Sequence, residues 1–170
     1  YKFAIIRDPI DKLVSLYFYQ TNVISHLGKT LKHYQNGNWN NVANLYQKYN
    51  INSIGDFLDK YAVLYNSEIK PHICNLRHIA NTQNMHIWHL VGFLPQHLFI
   101  CDDNFNILVN DVVDIKHWNT FVLEKFGVAM SNRRKLNVHP HSNDDYRSYL
   151  TEKHVEDIRE IYKEDYKYLF

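Results

Sequence analysis

Within nine residues, Arg7 to Ser15, the sequence RDPIDKLVS gathers a guanidinium, two carboxylates, an ammonium and a hydroxyl. It follows directly on the apolar run KFAII, residues 2–6, which reads as a short buried strand. Asp8 is expected to cap a helix that has Pro9 in its first turn. Asp8 and Asp11 have the spacing of a capping box, with Asp in place of Glu. Ser15 lies seven residues beyond the cap, two helical turns on, so it projects from the face of Asp8 with Lys12 between them. An arginine past a strand and before a helix stands at the carboxyl edge of a sheet, where ligands of open α/β sheets bind. The helix N-terminus adds free N–H groups and a partial positive charge. The chemistry this suggests is a socket for one phosphate. Arg7 is its planar fork and Ser15 a lateral hydrogen-bond donor. The plainer reading of the same residues is a structural salt bridge beside a helix cap.

The elements that must hold such a socket are those of one domain. The chain has 170 residues, 45% hydrophobic and 22% charged, with 13 Tyr and 9 Phe to build a core. The net charge is +1, which does not indicate a nucleic-acid or membrane partner and makes any anion site a local one. Cys74 and Cys101 stand far apart and fit neither a metal spacing nor a disulfide framework. No apolar run approaches the ~18 residues of a membrane span. The chain opens directly inside the apparent strand, so a piece of a longer protein is expected.

Helical periodicity runs from Pro9 to about residue 24, with Leu13, Leu16, Tyr17 and Gln20 on one face. Residues 25–50, rich in Asn, His and Lys, read as an irregular surface insertion. Ser53 opens a second helix with Ile54, Phe57, Leu58, Tyr61 and Leu64 or Tyr65 on its stripe. Residues 67–95 carry no decisive pattern. HLFIC (97–101) and NILVN (106–110) alternate around DDNFN, as a hairpin does. Residues 112–126 read as helix, with Gly127 at its end. A basic loop, SNRRKLNVHPHSNDD, precedes a last helix from about Thr151, with Val155, Ile158, Ile161 or Tyr162, Tyr166 and Phe170 on one side. The order is that of an α/β domain with a small sheet and mostly helical content.

Other clusters carry less. His86 and His89 lack a third metal ligand. Asp102, Asp103, Asn104 and Asn106 imitate the start of a calcium loop, but Ile107 stands where glycine is needed and Val113 where glutamate is needed; a tight turn explains them. HLGKT (26–30) has Val23 where a Walker loop wants glycine and no strand before it. His139 and His141 flank Pro140 in the basic loop, where a proline that orders the loop is the commoner reading. No metal site is expected.

RDPIDKLVSLYF resembles the 3′-phosphate-binding segment of sulfotransferases, R-[DN]-P-x-x-[RK]-x-x-S-x-[YF], with Arg7, Asp8, Pro9, Lys12, Ser15 and Tyr17 on it. GFLPQHLFICDDNFNILVNDVVDI resembles the Pro-Gln segment of the carbohydrate-type, family 2-like members. The closing stretch resembles their last helix, with Tyr162 and Asp165 on its pattern. The resemblance spans nearly the whole chain and implies a single sulfotransferase-type domain over residues 1–170. It implies a P-loop nucleotide-kinase-like fold, a small parallel sheet flanked by helices. It also implies 3′-phosphoadenosine-5′-phosphosulfate as co-substrate, with no metal. The acceptor would be a hydroxyl, first of all on a carbohydrate. Arg7 and Ser15 would hold the 3′-phosphate, and Arg133 and Arg134, beside Lys135, would offer a second nucleotide contact. The plainer reading of those three is a solvated charge run. The family's 5′-phosphosulfate loop belongs upstream of Arg7, and no residue is singled out as catalytic base. Where members carry a histidine three residues before Pro-Gln, this chain has Gly92. The family setting would be cytoplasmic for a bacterial member and the Golgi lumen for an animal one. The rival readings are a non-catalytic nucleotide- or glycan-binding module of the same fold and a P-loop kinase fragment.

Overall fold

A computed structural model describes residues 1–25, 38–73, 90–129 and 146–170. Strand β1 (Phe3–Ile6) runs parallel to β2 (Asp111–Asp114), with Phe3 opposite Asp111 and Ile6 opposite Asp114. Helices α1 (Pro9–Ser25), α2 (Asn38–Lys48) and α3 (Ile54–Leu64) follow β1 in order. After α3 the chain widens into a π-helical turn, Tyr65–Ile69, and then tightens into a 3-10 turn, Lys70–His72. The short α4 (His97–Ile100) precedes β2. Then come a 3-10 turn (Ile115–His117), α5 (Trp118–Phe126), another 3-10 turn (Tyr146–Tyr149), α6 (Glu152–Ile161) and α7 (Lys163–Tyr168). The domain is mixed, mostly helical, with a small parallel sheet.

The larger core lies among α1, α2, α3 and α6. Leu13, Val14 and Tyr17 of α1 meet Val42 and Leu45 of α2, Phe57, Tyr61 and Leu64 of α3, and Ile158 of α6. The stripe expected on α3 is buried along its length, and Ser53 caps the helix by accepting from the Asp56 N–H at 3.0 Å. A smaller cluster, Ile6, Ile100 and Cys101, lies against the sheet with Ala4, Val112 and Leu169. Phe3, next along β1 from Ala4, points to the other side and meets Trp118 and Phe121 of α5 at 5.4 and 5.7 Å between ring centroids.

Several expectations give way to tertiary contacts. Residues 38–48, expected within an irregular insertion, form α2, whose Val42, Leu45 and Tyr46 are buried. Residues 97–100 are helical, so the expected hairpin shrinks to one antiparallel bridge between Cys101 and Ile107. Its turn is nonetheless the expected one: Asp102 accepts from the N–H groups of Asn104 and Asn106 at 2.8 and 2.9 Å. The helix expected from 112 begins only near 115. Residues 111–114 pair with β1 instead, which buries Val113, and Asp114 accepts from the Lys116 N–H to start the helical turn. The last helix breaks at Tyr162 into α6 and α7. Its start is as expected at Thr151, with His154 completing a reciprocal cap in the place usually held by Glu or Gln. His154 Nδ1 lies 3.2 Å from both the Thr151 backbone nitrogen and the Tyr149 carbonyl oxygen, and its Nε2 lies 2.7 Å from Asp59 Oδ1.

Gly127 ends α5 in the left-handed region, φ 67°, donating to the Leu123 carbonyl. An added Cβ would touch nothing within 4 Å, so only backbone strain opposes one. Gly127→Ala is therefore expected to lower unfolding free energy by about 1 kcal/mol, read as a fall in urea midpoint at unchanged slope. An unmoved midpoint would contradict this helix end.

Candidate functional site

The strand-to-helix junction is built as the spacing suggests. Asp8 Oδ1 accepts from the N–H groups of Ile10 and Asp11 at 2.9 and 3.2 Å, capping α1. Asp11 does not close a reciprocal box; its carboxylate accepts from the Tyr146 hydroxyl and lies 3.5 Å from Lys116 Nζ. Arg7 sits just past β1 and is half-buried, and Ser15 is exposed on α1. Among the described residues, no carboxylate pairs with the Arg7 guanidinium. Arg133, Arg134 and Lys135 lie outside the described residues, as do His86, His89, His139, His141 and the HLGKT segment.

The backbone of Arg7 is held on both polar atoms by one side chain. Its N–H donates to Gln96 Oε1 at 2.9 Å, and Gln96 Nε2 donates to its carbonyl at 2.7 Å. Gln96 is held in turn by Asp165, which is fully buried. Asp165 Oδ2 accepts from the Gln96 N–H at 2.7 Å, and Oδ1 accepts from the His97 N–H at 2.8 Å and lies 2.7 Å from His97 Nδ1. With the carboxylate ionised, that ring nitrogen carries the proton. These three donors also account for the helical turn at 97–100: the carboxylate gathers the first free N–H groups of α4 as an N-cap does.

Lys12 turns inward instead of standing beside Ser15. Its ammonium donates to the Leu94 carbonyl and lies 5.7 Å from the centre of the Tyr162 ring. Burial lowers its pKa from 10.5 to about 8, and the nearby charge of Asp165 opposes part of that fall. Tyr162 donates to the Phe93 carbonyl at 2.7 Å, so the 2.5 Å contact between the Tyr162 and Tyr61 hydroxyls carries the Tyr61 proton. Burial, with Asp165 near, raises Tyr65 to about 12. Tyr166 donates to Asp8 Oδ2 at 3.4 Å. Gly92 has a packing reason: a Cβ there would come within 2.9 Å of the Leu16 side chain on α1.

Beside the first turn of α1 lies a cleft of about 370 Å³, whose polar lining includes Asp8, Asp11, Lys116, Tyr146 and Arg147. That is room for a small molecule. Among the described residues no group of three or more His, Cys, Asp or Glu is placed to hold a metal, and no helix is long and apolar enough to cross a membrane. Sequence reasoning named Arg7 and Ser15 and missed the role of Gln96 and the inward turn of Lys12. The Pro-Gln pair and the Tyr162 to Asp165 spacing were the available signals, without a way to see that they meet.

A family model described as "Sulfotransferase family" matches residues 1–170. No curated protein and no solved structure matches the chain.

The depressed pKa of Lys12 has a measurable consequence. The folded chain gives up this proton at lower pH than the unfolded chain, so between pH 8 and 10.5 the unfolded state binds more protons and stability rises with pH. The penalty is fully present below pH 8 and gone above 10.5; it is worth about 3 kcal/mol. Lys12→Met is expected to lack this rise. The difference in unfolding free energy between the two proteins should move by about 3 kcal/mol in favour of the wild type as pH goes from about 7 to about 10.5. The raised tyrosines act alike in both proteins and cancel in the difference. A difference that stays flat with pH would show that the ammonium is solvated.

Proposed function

This chain belongs to the sulfotransferase family, and we propose that it takes a sulfuryl group from 3′-phosphoadenosine-5′-phosphosulfate and passes it to a hydroxyl, in the first place that of a carbohydrate. In that reaction a new S–O bond forms to the acceptor oxygen and the S–O bond to the donor's phosphate breaks. The hydroxyl proton goes to a base, and cations steady the charge that grows on the leaving oxygen. The fold in this reading is the P-loop nucleotide-kinase type. Arg7 holds the 3′-phosphate through its planar fork and Ser15 donates from the side. Arg133 and Arg134 approach the same nucleotide.

The observation that carries the reading is that a half-buried arginine at the tip of a parallel strand has no carboxylate partner among the described residues, while the helix beside it is capped and its serine lies open. A guanidinium left unneutralised at such an edge is suited to an anionic ligand. The family's need for a donor phosphate supplies the identity of that anion.

Calorimetric titration with 3′-phosphoadenosine 5′-phosphate and with AMP tests it. Arg7→Ala is expected to weaken binding of the first by about ten- to a hundredfold and to leave AMP nearly unchanged; Ser15→Ala should act in the same sense and less. Equal losses for both nucleotides, or no preference for the 3′-phosphate in the wild type, would overturn the assignment. Tight binding without sulfuryl transfer to any hydroxyl acceptor would favour a binding module of the same fold.

A further inference from the structure

The backbone of Arg7 is held by groups distant in sequence. Residues 3–6 of β1 are aligned by their ladder to β2, and that ladder ends with Ile6 opposite Asp114. One residue further, the amide of Gln96 closes on the Arg7 N–H and C=O together, at 2.9 and 2.7 Å. A primary amide bonded to both polar groups of one residue does locally what a neighbouring strand does. Asp165 then pins the backbone of residues 96 and 97 through both of its oxygens. Asp165 is wholly out of water, so a lost partner there has no solvent replacement. Three segments far apart in sequence thereby fix the backbone of residue 7, and with it the direction in which the Cα–Cβ bond of Arg7 leaves the sheet.

That angle matters because a two-bond fork is directional. A rotation of ~10° at the Cα carries a guanidinium ~6 Å away by about 1 Å, a misplacement large enough to cost about a hundredfold in a site that needs alignment. We propose that Gln96 and Asp165 are positioning residues for the donor's 3′-phosphate: without touching the ligand, they aim Arg7 and so set the preference for a 3′-phosphorylated nucleotide. The proposal rests on the reading of Arg7 as the ligand of that phosphate.

The test is a double-mutant cycle read as a ratio of affinities. For wild type, Gln96→Met, Arg7→Ala and the double variant, the dissociation constants of 3′-phosphoadenosine 5′-phosphate and of AMP are measured, with the melting temperature of each protein. Gln96→Met keeps the volume and removes both hydrogen bonds to Arg7. It is expected to reduce the preference for the 3′-phosphate by about tenfold, and to reduce it no further once Arg7 is Ala. Asp165→Asn should act in the same direction; if it fails to fold, the Gln96 variants decide. A Gln96→Met protein that melts lower and keeps the full preference would overturn the proposal and leave Arg7 as the ligand. So would an effect of Gln96→Met on the ratio that persists undiminished in the Arg7→Ala background. An Arg7→Ala protein with unchanged preference would instead remove the donor reading itself, and this inference with it.

Discussion

Asp165 carries its carboxylate where no solvent reaches, and three N–H donors from residues 96 and 97 converge on it. A buried charge of this kind is tolerable only when its lone pairs are met by well-aligned donors and an opposite charge stands near. The donors are backbone and imidazole groups of the α4 turn; the nearby positive charge is Lys12, whose ammonium is desolvated in the same region. The arrangement ties the last helix of the chain to the strand–helix junction at its beginning, because Gln96 passes the constraint on to both polar atoms of Arg7. Without the carboxylate the α4 turn has no cap, Gln96 has no fixed backbone, and the tip of β1 loses its alignment.

The apolar packing around this polar spine fits the same logic. Tyr162 stands fully buried one turn before Asp165 and spends its proton on the Phe93 carbonyl, while Tyr61 of α3 donates to it. The phenols of α3 and of the final helices thus satisfy one another and a carbonyl close to the Pro-Gln segment, where an all-aliphatic core would leave that carbonyl unpaired. Lys12 does the same for the neighbouring Leu94 carbonyl. Within the segment 93–97, side chains from α1, from the break between α6 and α7 and from α7 hold residues 93, 94, 96 and 97. A loop so restrained can present Gln96 to Arg7 in a single orientation, which is what a directional anion contact needs. Lys12 carries a cost at this site, because burial disfavours its charge in the fold.

Local chemistry was well legible. Asp8 caps the helix it was expected to cap, and Ser53 and Thr151, expected at the starts of their helices, cap them too, because capping depends on a short side chain and the next three residues. Gly127 ends α5 for an equally local reason. The apolar stripe of α3 reads correctly because 3.6-residue periodicity survives wherever one face is buried. Helix α2 was hidden by its Asn-rich composition, which lowers helix propensity, although Val42, Leu45 and Tyr46 find a core. HLFIC alternates as a strand does, yet a carboxylate 68 residues away caps it into a helical turn. Residues 111–114 follow suit in reverse: their helical pattern yields to pairing with β1.

The sequence by itself determined the junction of strand, cap and helix that carries Arg7 and Ser15, and it determined the family, because those features live within a dozen consecutive residues. Only the tertiary structure decided which distant groups complete that junction. Gln96 and Asp165 stand on separate family-like segments in the linear text, where nothing shows that they meet, and Lys12 reads there as a neighbour of Ser15 on an open face. Their roles arise from burial, which makes hydrogen bonds obligatory, and burial is a property of the packed chain and not of any short stretch of it.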